Sequence, residues 1–403
     1  MTRKKEVARQ PLGIYVHVPF CRSKCAYCDF YSFKPTDDGL PKRYVDAVIS
    51  HMKSYKSGCE GYAPDTVFIG GGTPTALPRR ELLRLLFAVR RTFRLTKRCE
   101  FTVEANPATV TLPTLVFMRL LGVNRLSFGL QSADNAELRM LSRAHTREGF
   151  EESFRLARRA GFKNINVDIM FGLPGQTWEK LRRTIEYAAS LGPEHISLYD
   201  LRVEPNTPFG KLQSAGQLSL PSEEAEADMY LAAVGLLAAR GFAQYEISNF
   251  ARRGYMCRHN LKYWNCDEYL GFGPAAHSFF GGNRFSFVPD VNTYIRGTLP
   301  MDSRVRITAS CDEVGERQRM GEYVMLRLRL TAGIEEREFR RRFGAEFYEM
   351  YGKKLEKYLR GGFVTSSGGR WALTPRGFFV SNYILSDILE FADLGELGFD
   401  GSH

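Results

Sequence analysis

The sequence has no apolar run long enough to span a bilayer, and no hydrophobic stretch follows its basic N-terminus (Arg3, Lys4 and Lys5) as in a signal peptide. It has no low-complexity linker and no internal repeat beyond an alternation of strands and helices. Because 44% of its residues are hydrophobic, it can form an ordinary buried core. These features predict a soluble protein, which we expect in the cytoplasm.

The eight cysteines do not have the arrangement of a disulfide framework. Three of them lie between positions 21 and 28, and the other five are scattered through the chain. Clustered cysteines in a reducing compartment indicate a metal site.

The net charge of +11, from 56 Lys and Arg against 45 Asp and Glu, favours an anionic partner. Much of the excess is spread along helical stretches such as 337–342, which is typical of a solvated face. Charge alone therefore selects no partner. We expect no nucleic acid partner, because the sequence has no recognisable RNA-binding appendage.

Two hydrophobic periodicities alternate in the first two hundred residues. Six short apolar runs are typical of buried strands: 12–18, 66–69, 100–104, 125–130, 165–171 and 195–201. Five amphipathic helical stretches lie between them, near 41–56, 79–92, 112–121, 147–160 and 177–190. Each crossover is long enough for a βαβ unit, so the pattern predicts a parallel sheet, either doubly wound or curled into a partial barrel.

Polar residues at the strand ends favour the barrel. The cysteine loop follows the first strand, the segment 70–74 (GGGTP) follows the second, Glu104 ends the third, Gln131 follows the fourth and Asp168 lies in the fifth. Functional groups at successive carboxyl ends of strands are typical of a TIM-like barrel, whereas a doubly wound sheet concentrates them at one switch point. We predict an α/β fold with a partial, six-stranded (β/α)6 TIM-like barrel.

The pattern changes after Pro205. A helical segment near 221–240 precedes a stretch rich in glycine and aromatic residues, and helices at 316–330 and 335–359 precede a hairpin at 363–373. The end of the chain is thus predicted to be a small, mostly helical, winged-helix-like domain. The predicted division is a basic tail (1–10), the barrel (11–245), a connecting region (246–310) and a C-terminal domain (311–403).

Cys21, Cys25 and Cys28 form a C-x3-C-x2-C motif. Three thiolates on one short loop can wrap one face of a 4Fe–4S cubane and leave its fourth iron without a protein ligand. Such an iron can bind the amino and carboxylate groups of S-adenosylmethionine (SAM), and an electron from the cluster then releases a 5′-deoxyadenosyl radical.

Two other uses of these cysteines are less consistent with the spacing. Structural zinc normally takes four ligands in CxxC-type pairs, and no second pair is present. Covalent c-type haem attachment is excluded because Asp29, not histidine, follows Cys28.

Several segments resemble the radical SAM proteins of the HemN/HemW group, which contains oxygen-independent coproporphyrinogen III oxidases and HemW-type heme chaperones. Tyr27 before Cys28 belongs to the resemblance. The other segments are 15–21 (YVHVPFC), 70–75 (GGGTPT), 102–107 (TVEANP), 127–132 (SFGLQS), 166–174 (NVDIMFGLP), 259–264 (HNLKYW) and 269–278 (YLGFGPAAHS). The resemblance covers nearly the whole chain and is weakest in the last hundred residues, where it implies a HemN-like C-terminal domain.

The resemblance implies SAM-binding roles for nine residues: Tyr15, Tyr27, Gly71, Gly72, Thr73, Glu104, Gln131, Arg143 and Asp168. The residue types suit the task, because glycine lets backbone approach a ligand, carboxylates suit hydroxyl and ammonium groups, and arginine suits a carboxylate. Structural alternatives exist for each. The glycines can form a plain turn, which lacks the Gly-Lys-Ser/Thr of a P-loop, and the charged residues can form ion pairs within the barrel wall.

Two departures separate this chain from the oxidases. Their loop continues with a fourth cysteine two residues after the third, where this chain has Phe30. They also carry a longer N-terminal segment, whereas fourteen residues precede Tyr15 here. Both departures argue against decarboxylation of coproporphyrinogen, and the sequence leaves open whether the protein is an enzyme.

The segment 259–264 instead resembles the HemW signature H-N-x-x-Y-W. His259 is a candidate heme ligand, with Tyr263 and Trp264 packing on the porphyrin, although a histidine among aromatics is also typical of a hydrogen-bonded core residue. His277 is a weaker candidate for the heme ligand than His259, and His17 is expected to be structural.

The leading hypothesis is a heme chaperone that delivers heme to apo-hemoproteins such as respiratory enzymes, with the cluster and SAM supporting transfer or dimerisation. A homodimer and a peripheral contact with an anionic membrane are further expectations. The alternative is an oxygen-independent coproporphyrinogen III oxidase. A radical SAM enzyme that modifies RNA is a third class, without a recognisable RNA-binding module.

Overall fold

A computed structural model describes residues 9–299 and 304–390. Residues 1–8 of the predicted tail and 391–403 of the predicted C-terminal domain lie outside the described residues. The fold is built on six parallel strands that pair in chain order: β1 (Gln10–Val18), β2 (Tyr62–Gly71), β3 (Glu100–Ala105), β4 (Arg125–Gln131), β5 (Ile165–Phe171) and β6 (His195–Asp200). This confirms the predicted partial barrel.

Helices cover the outer face of these strands. They are α1 (Leu40–Ser54), α2 (Arg79–Thr92), α3 (Leu112–Leu120), α4 (Asn135–Met140), α5 (Arg147–Arg159) and α6 (Trp178–Ser190). In α5, Phe150, Phe154 and Ala157 recur at helical spacing and are buried, while Thr146 caps the first turn by accepting a hydrogen bond from the Gly149 amide. Only α4 was missed, since its six residues are too few for a periodicity.

The sheet continues beyond the six strands at both sides, which the sequence did not predict. The further elements are α7 (Pro208–Ser214), α8 (Glu223–Ala239), β7 (Ala243–Gln244), β8 (Asn249–Ala251), α9 (Arg258–Trp264), β9 (Tyr269–Phe272), β10 (His277–Phe280), β11 (Asn283–Phe287), α10 (Val291–Thr298) and β12 (Thr308–Glu313). Strand β8 pairs antiparallel with β6, and β9 pairs parallel with β1 and leads into antiparallel β10, β11 and β12. The result is a twelve-stranded mixed sheet that is not closed.

The C-terminal part is mostly helical around a small antiparallel sheet. Its elements are α11 (Glu316–Arg327), β13 (Ile334–Glu335), α12 (Glu336–Phe343), α13 (Lys353–Arg360), β14 (Val364–Ser367), β15 (Arg370–Leu373), α14 (Pro375–Phe379) and α15 (Ser381–Ile388). The hairpin lies where predicted. The single helix predicted over 335–359 is wrong, because Gly344 takes a left-handed φ of 67° and ends α12.

No helix within residues 9–299 and 304–390 combines the length and the apolar character needed to cross a membrane.

A buried tyrosine joins the first helix to the end of the first strand. Tyr44 of α1 is fully buried, and its hydroxyl donates a hydrogen bond of 2.6 Å to the backbone oxygen of His17. We expect Tyr44→Phe to lower the free energy of unfolding by about 1–2 kcal/mol, since it leaves a buried carbonyl with one partner fewer. The measurement is the urea midpoint under anaerobic conditions. Tyr383→Phe, at a side chain that is 70% exposed, is the matched control and should change stability by less than about 0.5 kcal/mol. Equal midpoints for the two variants would contradict the assignment.

Candidate cofactor site

The cysteine loop leaves the carboxyl end of β1 and is fixed by backbone hydrogen bonds. The Cys21 amide donates to the Phe33 oxygen over 3.0 Å, and the Phe33 amide donates to Pro19 over 2.9 Å. Further along the loop, the Ala26 amide donates to the Leu141 oxygen over 3.2 Å. The three cysteines are therefore presented by a loop with a defined path.

The three cysteine side chains are free thiols that are neither fully buried nor fully exposed. Burial raises the pKa of the Cys21 and Cys28 thiols. The Thr73 hydroxyl lies 3.6 Å from the Cys21 sulfur, and Arg143 Nη1 donates to the Cys25 sulfur over 3.4 Å. At Cys21, the Thr73 hydroxyl and the charge of Arg143 oppose the rise in pKa and so favour the thiolate, which is the form that binds metal.

Within the described residues, no three His, Cys, Asp or Glu side chains converge on one point as ligands of a single metal ion do. A cubane has a different requirement, because each thiolate binds a separate iron at a separate corner. Three cysteines on one loop with an adjacent guanidinium fit such a cluster.

The glycine segment after β2 passes close to this loop. The Gly72 amide donates to the Val18 oxygen over 2.8 Å, and the Thr73 amide donates to the Phe20 oxygen over 2.7 Å. A Cβ at Gly72 would lie 2.8 Å from the Phe20 oxygen and 3.1 Å from the Cys21 sulfur. Only glycine permits this close approach of the segment to the cysteine loop.

Gln131 and Arg143 meet above β4. Gln131 takes a left-handed φ of 67° at an irregularity in the pairing of β4 with β5. Arg143 Nη2 donates to the Gly129 oxygen over 3.0 Å, and a Cβ at Gly129 would lie 2.8 Å from the Gln131 amide nitrogen. A strained, non-glycine backbone at a strand end is typical of a ligand site.

Two acids face the same region. Burial and the charge of Asp168 raise the pKa of Glu104 to about 8, and one Glu104 oxygen accepts the Gly71 amide over 3.1 Å. Burial also raises the pKa of Asp168, although its carboxylate accepts hydrogen bonds from Asn166 (2.6 Å) and Ser127 (3.3 Å). In both acids burial outweighs the groups that stabilise the charged form, so each carboxylate would gain from a bound ammonium or hydroxyl donor.

The two predicted tyrosines lie beside these groups. The Tyr15 hydroxyl is 3.1 Å from His17 Nδ1, and burial raises its pKa, with a smaller contribution from Glu104. Tyr27 packs against the apolar cluster around Leu141 and interacts with the charge of Arg143. The structure thus gathers the three cysteines and the nine predicted SAM residues at the carboxyl ends of the strands; their roles remain predictions.

His259 does not join this group. It lies on α9, which packs against the amino-terminal part of β2 and the first residue of β3. Its Nδ1 is 2.9 Å from the Thr66 hydroxyl, its Nε2 is 2.8 Å from the Tyr263 hydroxyl, and its backbone amide donates to Glu100 over 3.1 Å. The side chain is 1% exposed, and burial lowers its pKa to about 3. Iron coordination by His259 would first require the loss of one of these hydrogen bonds.

Arg125, Ser127 and Asn166 also lie in this site, although the sequence did not predict them as site residues. Arg125 is 2% exposed, its Nε has no hydrogen-bond partner among the described residues, and its charge lowers the pKa of both Asp168 and Glu104. They could have been predicted from the alternation of side chains along β4 and β5. Every second residue of these strands lies on the face that carries Glu104 and Asp168.

Comparisons with known proteins agree with this geometry. The model of the Radical SAM superfamily matches residues 15–188, and that of the HemN C-terminal domain matches residues 315–380. The solved structure of coproporphyrinogen III oxidase (HemN) from Escherichia coli has a TM-score of 0.82 over 94% of this chain and 90% of its own; at 22% identity it supports the fold alone. The protein is thus of the radical SAM class, which implies a 4Fe–4S cluster and SAM.

Two curated relatives identify the family within the radical SAM class. The heme chaperone HemW of Bacillus subtilis is 38% identical over 95% of this chain and 99% of its own length. The heme chaperone HemW of Escherichia coli is 33% identical over 93% and 97% respectively. The chain belongs to the HemW family, which confirms the resemblance seen in the sequence.

The close approach at Gly72 predicts a defect in cluster assembly. We expect Gly72→Ala to reduce iron and sulfide incorporation strongly, because the added methyl group collides with the Phe20 oxygen and crowds the Cys21 sulfur. The measurement is iron and sulfide content after anaerobic reconstitution. Gly61→Ala is the control, since a Cβ at Gly61 meets nothing within 4 Å. Full incorporation in both variants would show that the segment does not confine the cluster loop.

The raised pKa of Glu104 predicts a pH dependence of stability. The folded, ligand-free protein keeps a proton on Glu104 up to about pH 8, whereas an unfolded chain releases it near the ordinary value of 4.5. The folded state binds more protons in this window, so Glu104 makes stability fall as pH rises from about 5 to about 8. Glu104→Gln should reduce that fall, measured as urea midpoints across the window. Glu60→Gln, at an exposed position, is the control. An unchanged slope in Glu104→Gln would refute the raised pKa.

Proposed function

We propose that this protein is a heme chaperone, which binds heme as cargo and transfers it to apo-hemoproteins, respiratory enzymes among them. Support comes from relatives named heme chaperone HemW, which match more than nine tenths of the chain and of their own length. We place its action in a reducing compartment such as the cytoplasm, because its cysteines are free thiols.

One observation separates this proposal from the oxidase alternative. Position 30, where the oxidases carry a fourth cysteine, is a phenylalanine whose side chain is 55% exposed on the cysteine loop. Its backbone oxygen accepts a hydrogen bond from Lys24 over 3.2 Å, so an exposed aromatic ring and an exposed cation lie together. A ring and a cation suit a flat, apolar macrocycle with carboxylate side chains.

In this proposal the site residues hold the cofactors in the following way. Cys21, Cys25 and Cys28 would hold the cluster, which would bind SAM and would supply the electron for its cleavage. The glycine segment offers its backbone to the methionyl part. Glu104 and Asp168 accept hydrogen bonds from its ammonium and hydroxyl groups, and Arg143 donates to its carboxylate.

The proposal includes a peripheral contact with an anionic membrane, where respiratory acceptors reside, and a homodimer. The membrane contact is supported by α3, whose Phe117 and Leu120 side chains are exposed, Leu120 by 72%. The guanidinium of Arg79 lies 5.9 Å from the centre of the Phe117 ring. Exposed apolar groups beside arginines suit the boundary between lipid headgroups and acyl chains.

Heme titration under anaerobic conditions tests the proposal directly. We expect the protein with a reconstituted cluster to bind heme stoichiometrically. With SAM and a reductant, it should release no carbon dioxide from coproporphyrinogen III. The measurements are the heme absorption band and the porphyrin products. Lysozyme, a protein without a heme site, controls at equal concentration for nonspecific heme adsorption. Release of carbon dioxide establishes the oxidase instead, and failure to bind heme above the lysozyme control rejects the chaperone.

A further inference from the structure

Heme coordination by histidine requires a side chain that the macrocycle can reach, and the described residues include six histidines. Five of them are between 1% and 7% exposed: His17, His51, His145, His195 and His259. His277 alone among the six is an exposed side chain. Since a porphyrin is far wider than a side chain, accessibility separates His277 from the other five.

The buried histidines are held by hydrogen bonds within the interior. In His17, Nε2 donates to the Tyr31 oxygen over 2.9 Å and Nδ1 faces the Tyr15 hydroxyl. In His195, Nδ1 is 2.6 Å from the Asn166 side-chain oxygen and Nε2 is 2.8 Å from the Tyr245 hydroxyl. His259 likewise has both nitrogens engaged. These imidazoles are part of the interior hydrogen bonding, and their use as iron ligands would leave buried polar groups unpaired.

His51 and His145 are also enclosed. The ring of His51 packs edge-on against four aromatic rings, those of Tyr55, Phe272, Phe287 and Tyr294. His145 Nε2 is 3.3 Å from the Leu130 oxygen, within the barrel wall. Neither position offers room for a porphyrin.

His277 lies at the end of the sheet that carries the cysteine loop. Because β9 runs parallel to β1, the turn after β9 lies at the same edge as the carboxyl end of β1. A Cβ at Gly273 in this turn would lie 2.4 Å from the His17 oxygen, which shows how closely the turn packs on β1. His17 in turn bonds Tyr31, three residues beyond Cys28. His277 also contributes to lowering the pKa of His17, so the two imidazoles are near neighbours.

The face on which His277 stands is the continuation of the barrel interior. His277 pairs with Ser286 of β11, and Ser286 pairs with Ser310 of β12, with the two serine hydroxyls 2.7 Å apart. These side chains therefore share one face. Phe279, two residues beyond His277, pairs with Tyr269, whose ring packs on the α9 residue Tyr263 at a centroid distance of 4.6 Å. Because Tyr269 also pairs with Gly13 of β1, two residues before Tyr15, the shared face is the one that carries Tyr15.

We propose that His277, and not His259, supplies the axial ligand to the heme iron, at the rim of the barrel beside the cysteine loop. This rests on the proposed function, since it assigns the ligand of the heme that a chaperone carries. A neutral imidazole is a standard axial ligand of heme iron. An exposed ligand suits a heme carrier, because an acceptor protein can approach the iron without unfolding of the carrier.

The test compares single variants of the full chain with a reconstituted cluster, titrated with ferric heme under anaerobic conditions. We expect His277→Ala to shift the heme absorption band and to weaken binding by about tenfold or more. His277→Met should retain binding with a different spectrum, because methionine is also an axial ligand. His259→Gln, with its fold verified by the urea midpoint, should keep the wild-type spectrum. The iron and sulfide content of each variant verifies that the cluster is intact.

Cys311→Ser is the matched control, because Cys311 on β12 is exposed and its thiol is of a type that can bind iron. Cys311 pairs with Phe285, whereas His277 pairs with the next residue of β11, Ser286. Successive residues of a strand point to opposite faces, so Cys311 and His277 lie on opposite faces of the sheet. We expect its heme spectrum to be unchanged. A wild-type spectrum and affinity in His277→Ala overturns the inference, as does loss of the band in Cys311→Ser or in folded His259→Gln. A wild-type protein that binds no heme contradicts the proposed function instead.

Discussion

Parallel pairing of β1 with β2 on one side and with β9 on the other determines where the functional groups of this protein lie. It brings the cysteine loop, the glycine segment and the turn before His277 to one edge of the sheet. The backbone of Gly72 bonds the last residue of β1, so the cysteine loop and the glycine segment have no freedom to separate. A side chain at Gly72 would break that junction, which is why a residue without one occupies it.

The same edge concentrates polar groups at a cost in stability. Glu104, Asp168 and Arg125 are enclosed by the barrel, and within residues 9–299 and 304–390 neither acid forms an ion pair that would balance its burial. Arg125 acts on both acids through space, since its charge opposes the rise in their pKa. A barrel selected for stability alone would place apolar side chains there. Under the proposed function, these acceptors would bind the ammonium and hydroxyl groups of SAM, and that binding would offset the energetic cost of their burial.

The sequence predicted what depends on local pattern and missed what depends on distant pairing. The six strands and five of the first six helices follow from hydrophobic periodicity, and the grouping of Glu104, Gln131 and Asp168 follows from parallel strand ends. Strands β9 to β12 are only four to six residues long, and they form because β9 pairs with β1 and each later strand pairs with the one before it. The buried position of His259 could not be predicted from its motif either, because its hydrogen bonds to Thr66 and Tyr263 form only in the folded chain.

The two ends of the barrel therefore have opposite characters. At the amino end, Asp65 forms ion pairs with both Arg258 and Lys262 of α9, and Glu100 accepts the His259 amide, so α9 is held across the strands. His259 and Tyr263 of the H-N-x-x-Y-W segment pack against each other and are joined by a hydrogen bond of 2.8 Å. At the carboxyl end, the half-exposed cysteines, Phe30 and His277 remain accessible. A ligand as wide as a porphyrin can reach this chain only where side chains are exposed to solvent, so the proposed function places heme at the same end of the barrel as the cysteine loop.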